Sequence, residues 1–82
     1  MSLQLYDRVA LRMSCPQSSL RAGDVATLVD FVEHPSSGGR GCVLEVFNAL
    51  GDSIAVVTVP DDAVEPLRAD EVLSVRPMAT AG

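Results

Sequence analysis

Apolar and polar residues alternate along much of this chain with a period of two, the repeat of a strand that lies half in a core. Between Leu5 and Met13, the residues Leu5, Val9, Leu11 and Met13 fall on one side, and Tyr6, Arg8, Ala10 and Arg12 fall on the other. That run predicts a first strand. It is ended by the polar stretch from Ser14 to Ser19, whose Pro16 has no N–H to give to a ladder. Leu20 to Asp24 reads as a tight turn in which Gly23 supplies the backbone conformation, and it feeds a second strand over Val25 to Glu33. His34 to Gly41 then gathers a proline, two serines and three glycines, and predicts the most mobile internal segment.

Val43 to Phe47 predicts a third strand, and Ile54 to Val59 a fourth. They are joined by Asn48 to Asp52, a short connection carrying the glycine that such hairpins use. Pro60 to Ala63 reads as a single helical turn, because Asp caps well and Pro cannot continue a central strand. Val64 to Leu67 is short and extended. Glu71 to Arg76 alternates weakly and predicts a closing strand, ahead of a loose tail of small residues from Ala79 to Gly82.

No segment carries ten residues of helical periodicity, and there is no internal repeat. The expected fold class is therefore all-β. Five to six short strands in so short a chain have to curl, since a flat sheet would leave an apolar face wet and both edges open. The reading is a small, partly open barrel with one helical turn near residues 60–63. It forms a single domain over residues 1–78, followed by a tail over 79–82.

Two sets of side chains follow from the alternation. Val9, Leu11, Val29, Leu44, Val46, Val57 and Val59 are the inward candidates. The outward positions include Leu28, Val32, Val43, Phe47, Ile54 and Val56, which is too apolar a set for a face left in water. Something must cover them, and 82 residues leave too little chain for a second layer. A homo-oligomer, most simply a dimer, is the expected cover.

Composition narrows the class of partner. Eleven acidic residues against six basic ones give a formal charge of −5, a balance that repels phosphate backbones and anionic lipid. One Tyr, two Phe and no Trp leave few rings for stacking bases. All six basic residues are arginines, whose planar forks suit ion pairs. No stretch approaches the roughly 18 apolar residues of a membrane span, and the first residues lack the basic start and apolar run of a signal peptide. The expected address is the cytoplasm, where Cys15 and Cys42 are expected to be free, packed thiols.

Candidate chemistry is sparse. His34 and Cys42 sit eight residues apart across a loop, but a Cys/His nucleophile pair needs a third orienting group and an oxyanion site, so a packed thiol and a solvated histidine are expected. Ser36 to Gly41 resembles an anion cradle only loosely, because it leads into a strand and not into a helix N-terminus. Asp61, Asp62, Glu65, Asp70 and Glu71 crowd five carboxylates into eleven residues. A cation site would need their oxygens to converge, and a solvated edge that resists sheet-to-sheet pairing is the plainer expectation. Two Cys and one His are too few for a zinc centre. No catalytic, cofactor-binding or metal-ligating residue is singled out.

Several runs, taken in order, carry a resemblance. They are Asp7 to Leu11, Leu20 to Val29, Leu44 to Phe47, Gly51 to Ser53, Ala55 to Pro60 and Pro66 to Arg76. Their order and spacing resemble a family of short bacterial proteins known only as a domain of unknown function. That family is similar in fold to SH3-like barrels and to the barrel domain of nitrile hydratase beta subunits. The chain departs from its pattern at Ala26, where glycine is usual, and in the longer loop from His34 to Gly41. The resemblance implies architecture and brings no catalytic or ligand residues with it.

The role expected from all of this is a non-enzymatic protein-interaction module that self-associates. One alternative is a nucleic-acid-associated barrel of the ribosomal-module type, suggested by Leu20 to Val25. The other is a small ligand-binding or enzymatic domain, which would need a concave pocket with convergent polar groups.

Overall fold

A computed structural model describes residues 3–33 and 39–78. The expectations for His34, for the loop tip through Gly38 and for the tail at 79–82 lie outside the described residues. Five strands form: β1 (Arg8–Leu11), β2 (Val25–Glu33), β3 (Arg40–Phe47), β4 (Ser53–Pro60) and β5 (Val64–Pro66). Short 3-10 turns cover Pro16–Ser18 and Asp61–Ala63. The strands make one antiparallel sheet in the order β4-β3-β2-β1-β5. The fold is all-β, as the alternation predicts, and the sheet is open: β4 and β5 are its two edges and do not pair.

The connection between those edges forces the sheet to curl. Strands lie about 4.8 Å apart, so β4 and β5 would be roughly 19 Å apart in a flat sheet. Only Asp61–Ala63 join them, in a 3-10 turn that advances about 2.0 Å per residue. The sheet therefore wraps until its edges approach at the Pro60 end. One core collects on the concave side, with Val9, Leu11, Leu20, Ala26, Leu28, Cys42, Leu44, Val46, Val59, Ala63 and Val64. Leu3 and Met78 pack against it from outside the strands.

Three expectations are corrected. The first strand is shorter than its alternation suggests, because the chain turns at Tyr6, whose φ of 70° is left-handed. The Tyr6 N–H donates to the Leu28 carbonyl and the Leu28 N–H donates to Asp7, which clamps that turn onto β2. Leu5 and Met13 consequently lie outside the ladder and are exposed.

The second correction concerns β2. Leu28 stands opposite Leu44, but Asp30 stands opposite Val43, so Val29 is an extra residue at a bulge. A bulge inverts the inside and outside parity of everything beyond it. Ala26 and Leu28 point inward before it, and Phe31, paired with Cys42, points inward after it. Leu28, expected outside, is fully buried, while Val29, expected inside, is only half-buried and lies outside the core cluster. The other inward candidates sit as expected, with Val57 partly buried against the core.

The third concerns Glu71 to Arg76, which forms no strand. The free edge of β1 is already taken by β5, in the register Val9 with Pro66 and Leu11 with Val64. A turn closed by the Glu71 N–H to the Arg68 carbonyl, and by the Arg68 N–H to the Glu71 carboxylate, then diverts the chain. Residues 71–78 continue as an irregular strap.

Candidate interaction surface

The convex side of the sheet carries apolar residues among polar ones. Toward β1 and β2 the cross-strand row is Arg8, Thr27 and Glu45. Toward β3 and β4 the rows are Asp30, Val43 and Thr58, and Val32, Gly41 and Pro60. Gly41 makes room there, since a β-carbon would stand 3.1 Å from a Val32 methyl and 3.4 Å from the Thr58 methyl and those side chains would have to shift. Val56 faces Glu45 across the ladder and is 62% exposed. A second bulge displaces Ile54 between the pairs Val46 with Ala55 and Phe47 with Ser53, which leaves Ile54 and Phe47 exposed at the hairpin end.

Of the six residues expected on an outer apolar surface, five are thus on the convex side or at its hairpin corner. Val32, Phe47, Ile54 and Val56 are exposed and Val43 is half-buried. Leu28 is withdrawn from the set by the β2 bulge.

A second feature was not anticipated. The strap crosses the end of the sheet where β2 begins and β3 ends, and encloses a cleft of about 570 Å³ between Leu73–Met78 and the rim formed by Asp24, Ala26, Val46 and Phe47. Arg76 fastens the strap. Its Nε donates to Asp24 Oδ1 at 2.9 Å, and its Nη2 donates to Asp24 Oδ2 and, at 3.0 Å, to the Ser19 carbonyl. Asp24 Oδ2 also accepts the Arg21 N–H at 2.8 Å. The Arg76 hydrogen bond holds the Asp24 carboxyl below its ordinary range, against the opposing effect of burial, and the Arg76 guanidinium is held above its own. No local signal marks this pair, because its members are 52 residues apart. Val72 and Val75 on the same strap are each 93% exposed.

The remaining candidates separate. Asp61 faces Arg40 at 3.6 Å, Glu65 faces Arg12 at 3.9 Å, and Asp70 and Glu71 face Arg68 at 3.5 and 4.0 Å. Four of the five carboxylates crowded in sequence are thus dispersed over three arginines, and among the described residues no group of three His, Cys, Asp or Glu converges. Arg40 also lies 4.1 Å above the Phe31 ring. Both cysteines are free. Cys42 is buried, and burial, reinforced by the Asp61 charge, pushes its thiol up. Iodoacetamide under native conditions should therefore label half-buried Cys15 first, with Cys42 modified only at the rate of unfolding. Equal rates at the two sites, read by mass spectrometry, would mean that the core opens at β3. Among the described residues, no helix is long and apolar enough to cross a membrane.

A family model described as a domain of unknown function, DUF4926, matches residues 5–66, from the turn before β1 to the last residue of β5, and the chain belongs to that family. The strap and Arg76 lie beyond the matched residues. No curated protein and no solved structure matches the chain.

Proposed function

We propose that this DUF4926 chain is a non-enzymatic protein-interaction module of the cytoplasm that works by associating with copies of itself. The observation that carries this reading is the set of apolar side chains on the convex face, where Val43, Phe47, Ile54 and Val56 lie along the β3–β4 hairpin and Val32 lies at the end away from its turn. Burying such a set against a second copy removes it from water without adding chain. The acidic balance and the dispersal of Arg12, Arg40, Arg68 and Arg76 into pairs within the chain speak against a phosphate-backbone partner. The same reading keeps the bacterial setting and the likeness to the barrel domain of nitrile hydratase beta subunits, on the strength of the strand order.

Sedimentation equilibrium at micromolar concentration tests it. The wild type is expected to sediment as a dimer, and Phe47→Glu as a folded monomer, because a carboxylate at the hairpin corner would have to be desolvated in the interface. A wild-type monomer defeats the proposal. A dimer indifferent to Phe47→Glu moves the contact away from the hairpin corner.

A further inference from the structure

We infer that two copies join edge to edge, β4 against β4 in antiparallel register, so that two five-stranded sheets become one continuous ten-stranded sheet. This rests on the self-association proposed above and specifies its geometry.

The two edges of the sheet are built differently. β5 has three residues, one of them Pro66 and one Glu65, and such an edge is blunted against further pairing. β4 has eight residues, carries no charge from Ser53 to Pro60, and among the described strands pairs only with β3. An edge of that length and composition is the usual template for another strand.

The burial pattern of β4 says what kind of cover is missing. On the convex side Ile54 and Val56 are exposed; on the concave side Ala55 and Val57 point toward the core yet stay only half-buried. A layer laid over the sheet would cover one of these sides and leave the other. A strand laid beside β4 covers the rim of both, since cross-strand neighbours stand about 4.5–5.5 Å apart.

Charge then selects a second copy of β4 as that strand. A twofold axis sets residue i of one strand against residue j of the other and j against i, so a charged residue near the axis meets its own copy. β4 is the long strand without charge, whereas β2 carries Asp30 and Glu33, and β3 carries Arg40 and Glu45. The irregular strap, which lies outside the ladders, carries Glu71 and Arg76 and is fastened to Asp24. A chain with a net charge of −5 meets itself at least cost along its neutral edge.

Residue-resolved amide exchange on the intact wild-type chain tests the geometry, run at high concentration and again after dilution below the association range. A strand with one neighbour protects alternate amides, and a strand with two protects all of them. Edge pairing predicts continuous protection over Ile54 to Thr58 in the concentrated sample. The alternate amides should then speed up by at least about tenfold on dilution, while those facing β3 do not change. A dimer in which alternate β4 amides exchange fast overturns the edge geometry and leaves self-association standing. Protection that appears in Val72 to Val75 together with β4 makes the strap of another copy the added strand, and also overturns it. A monomer at the higher concentration removes both this inference and the proposal beneath it. Val56→Lys, which sets like charges across the twofold, should give a folded monomer with unchanged protection in β1 and β2.

Discussion

Leu44→Ala is expected to lower the free energy of unfolding by about 2–4 kcal/mol, read from the midpoint of urea denaturation at an unchanged slope. Leu44 is fully buried at the centre of the sheet, where it faces Leu28 on β2 and Val57 on β4. Truncating it removes three carbons from the core and leaves a cavity that backbone ladders on both sides keep from collapsing. A chain of this size has about 5–15 kcal/mol to lose at most, so the variant should be partly unfolded well below the wild-type midpoint. Leu28→Ala should cost a similar amount and Val29→Ala clearly less, and that contrast reports on the β2 bulge. Equal losses at positions 28 and 29 would mean that the bulge lies elsewhere in the strand, and a change within about 0.5 kcal/mol at Leu44 would mean that it does not sit in the core.

That contrast also marks where a linear reading of the chain stops. The period-two pattern places β2 at Val25–Glu33, and a proline beside two aspartates places a turn at Pro60–Ala63, which the chain makes at Asp61–Ala63 with Pro60 ending β4, because β-branched runs and such capping residues are local signals. Alternation carries parity along a strand only while the ladder is regular. Val29 and Ile54 are ordinary β-formers at their bulges, with no Gly to announce them, so the inversion at Leu28 could not be read from residue types.

Competition between segments was equally hidden. Both Val64–Pro66 and Glu71–Arg76 are extended stretches able to pair with β1, and the second alternates better. The shorter one wins because it leaves the 3-10 turn already beside β1, at the smaller cost in loop closure. The outer apolar set was legible for the opposite reason. Val43, Phe47, Ile54 and Val56 lie on a single β-hairpin, where turn and register are fixed by neighbours in sequence. The Asp24–Arg76 contact joins a turn to a strap with no regular element between them, and only the folded chain brings it together.

That contact should make the protein acid-sensitive in a window set by Asp24. The carboxyl is held below its ordinary value of 3.8 by the Arg76 hydrogen bond. The folded chain therefore binds fewer protons than the unfolded one as pH falls through that range, so the contribution is complete above the ordinary value and is lost below it, as pH passes the lower folded value. Asp24→Asn keeps the shape of the side chain and removes the charge. At neutral pH it is expected to cost about 1 kcal/mol, a charge-assisted hydrogen bond reduced by the solvent at the cleft rim. The gap between wild type and variant in thermal midpoint should stay constant from pH 7 to about pH 5 and close toward pH 2. The Met78 methyl resonance supplies an independent readout, because Met78 packs on the core at the end of the strap that Arg76 fastens. In Asp24→Asn at pH 7, and in the wild type at low pH, it should move toward the position of a solvent-exposed methionine. A midpoint gap that persists unchanged to pH 2 would place the acid sensitivity on another carboxylate, and a Met78 signal that ignores the substitution would mean that the strap is held without Arg76.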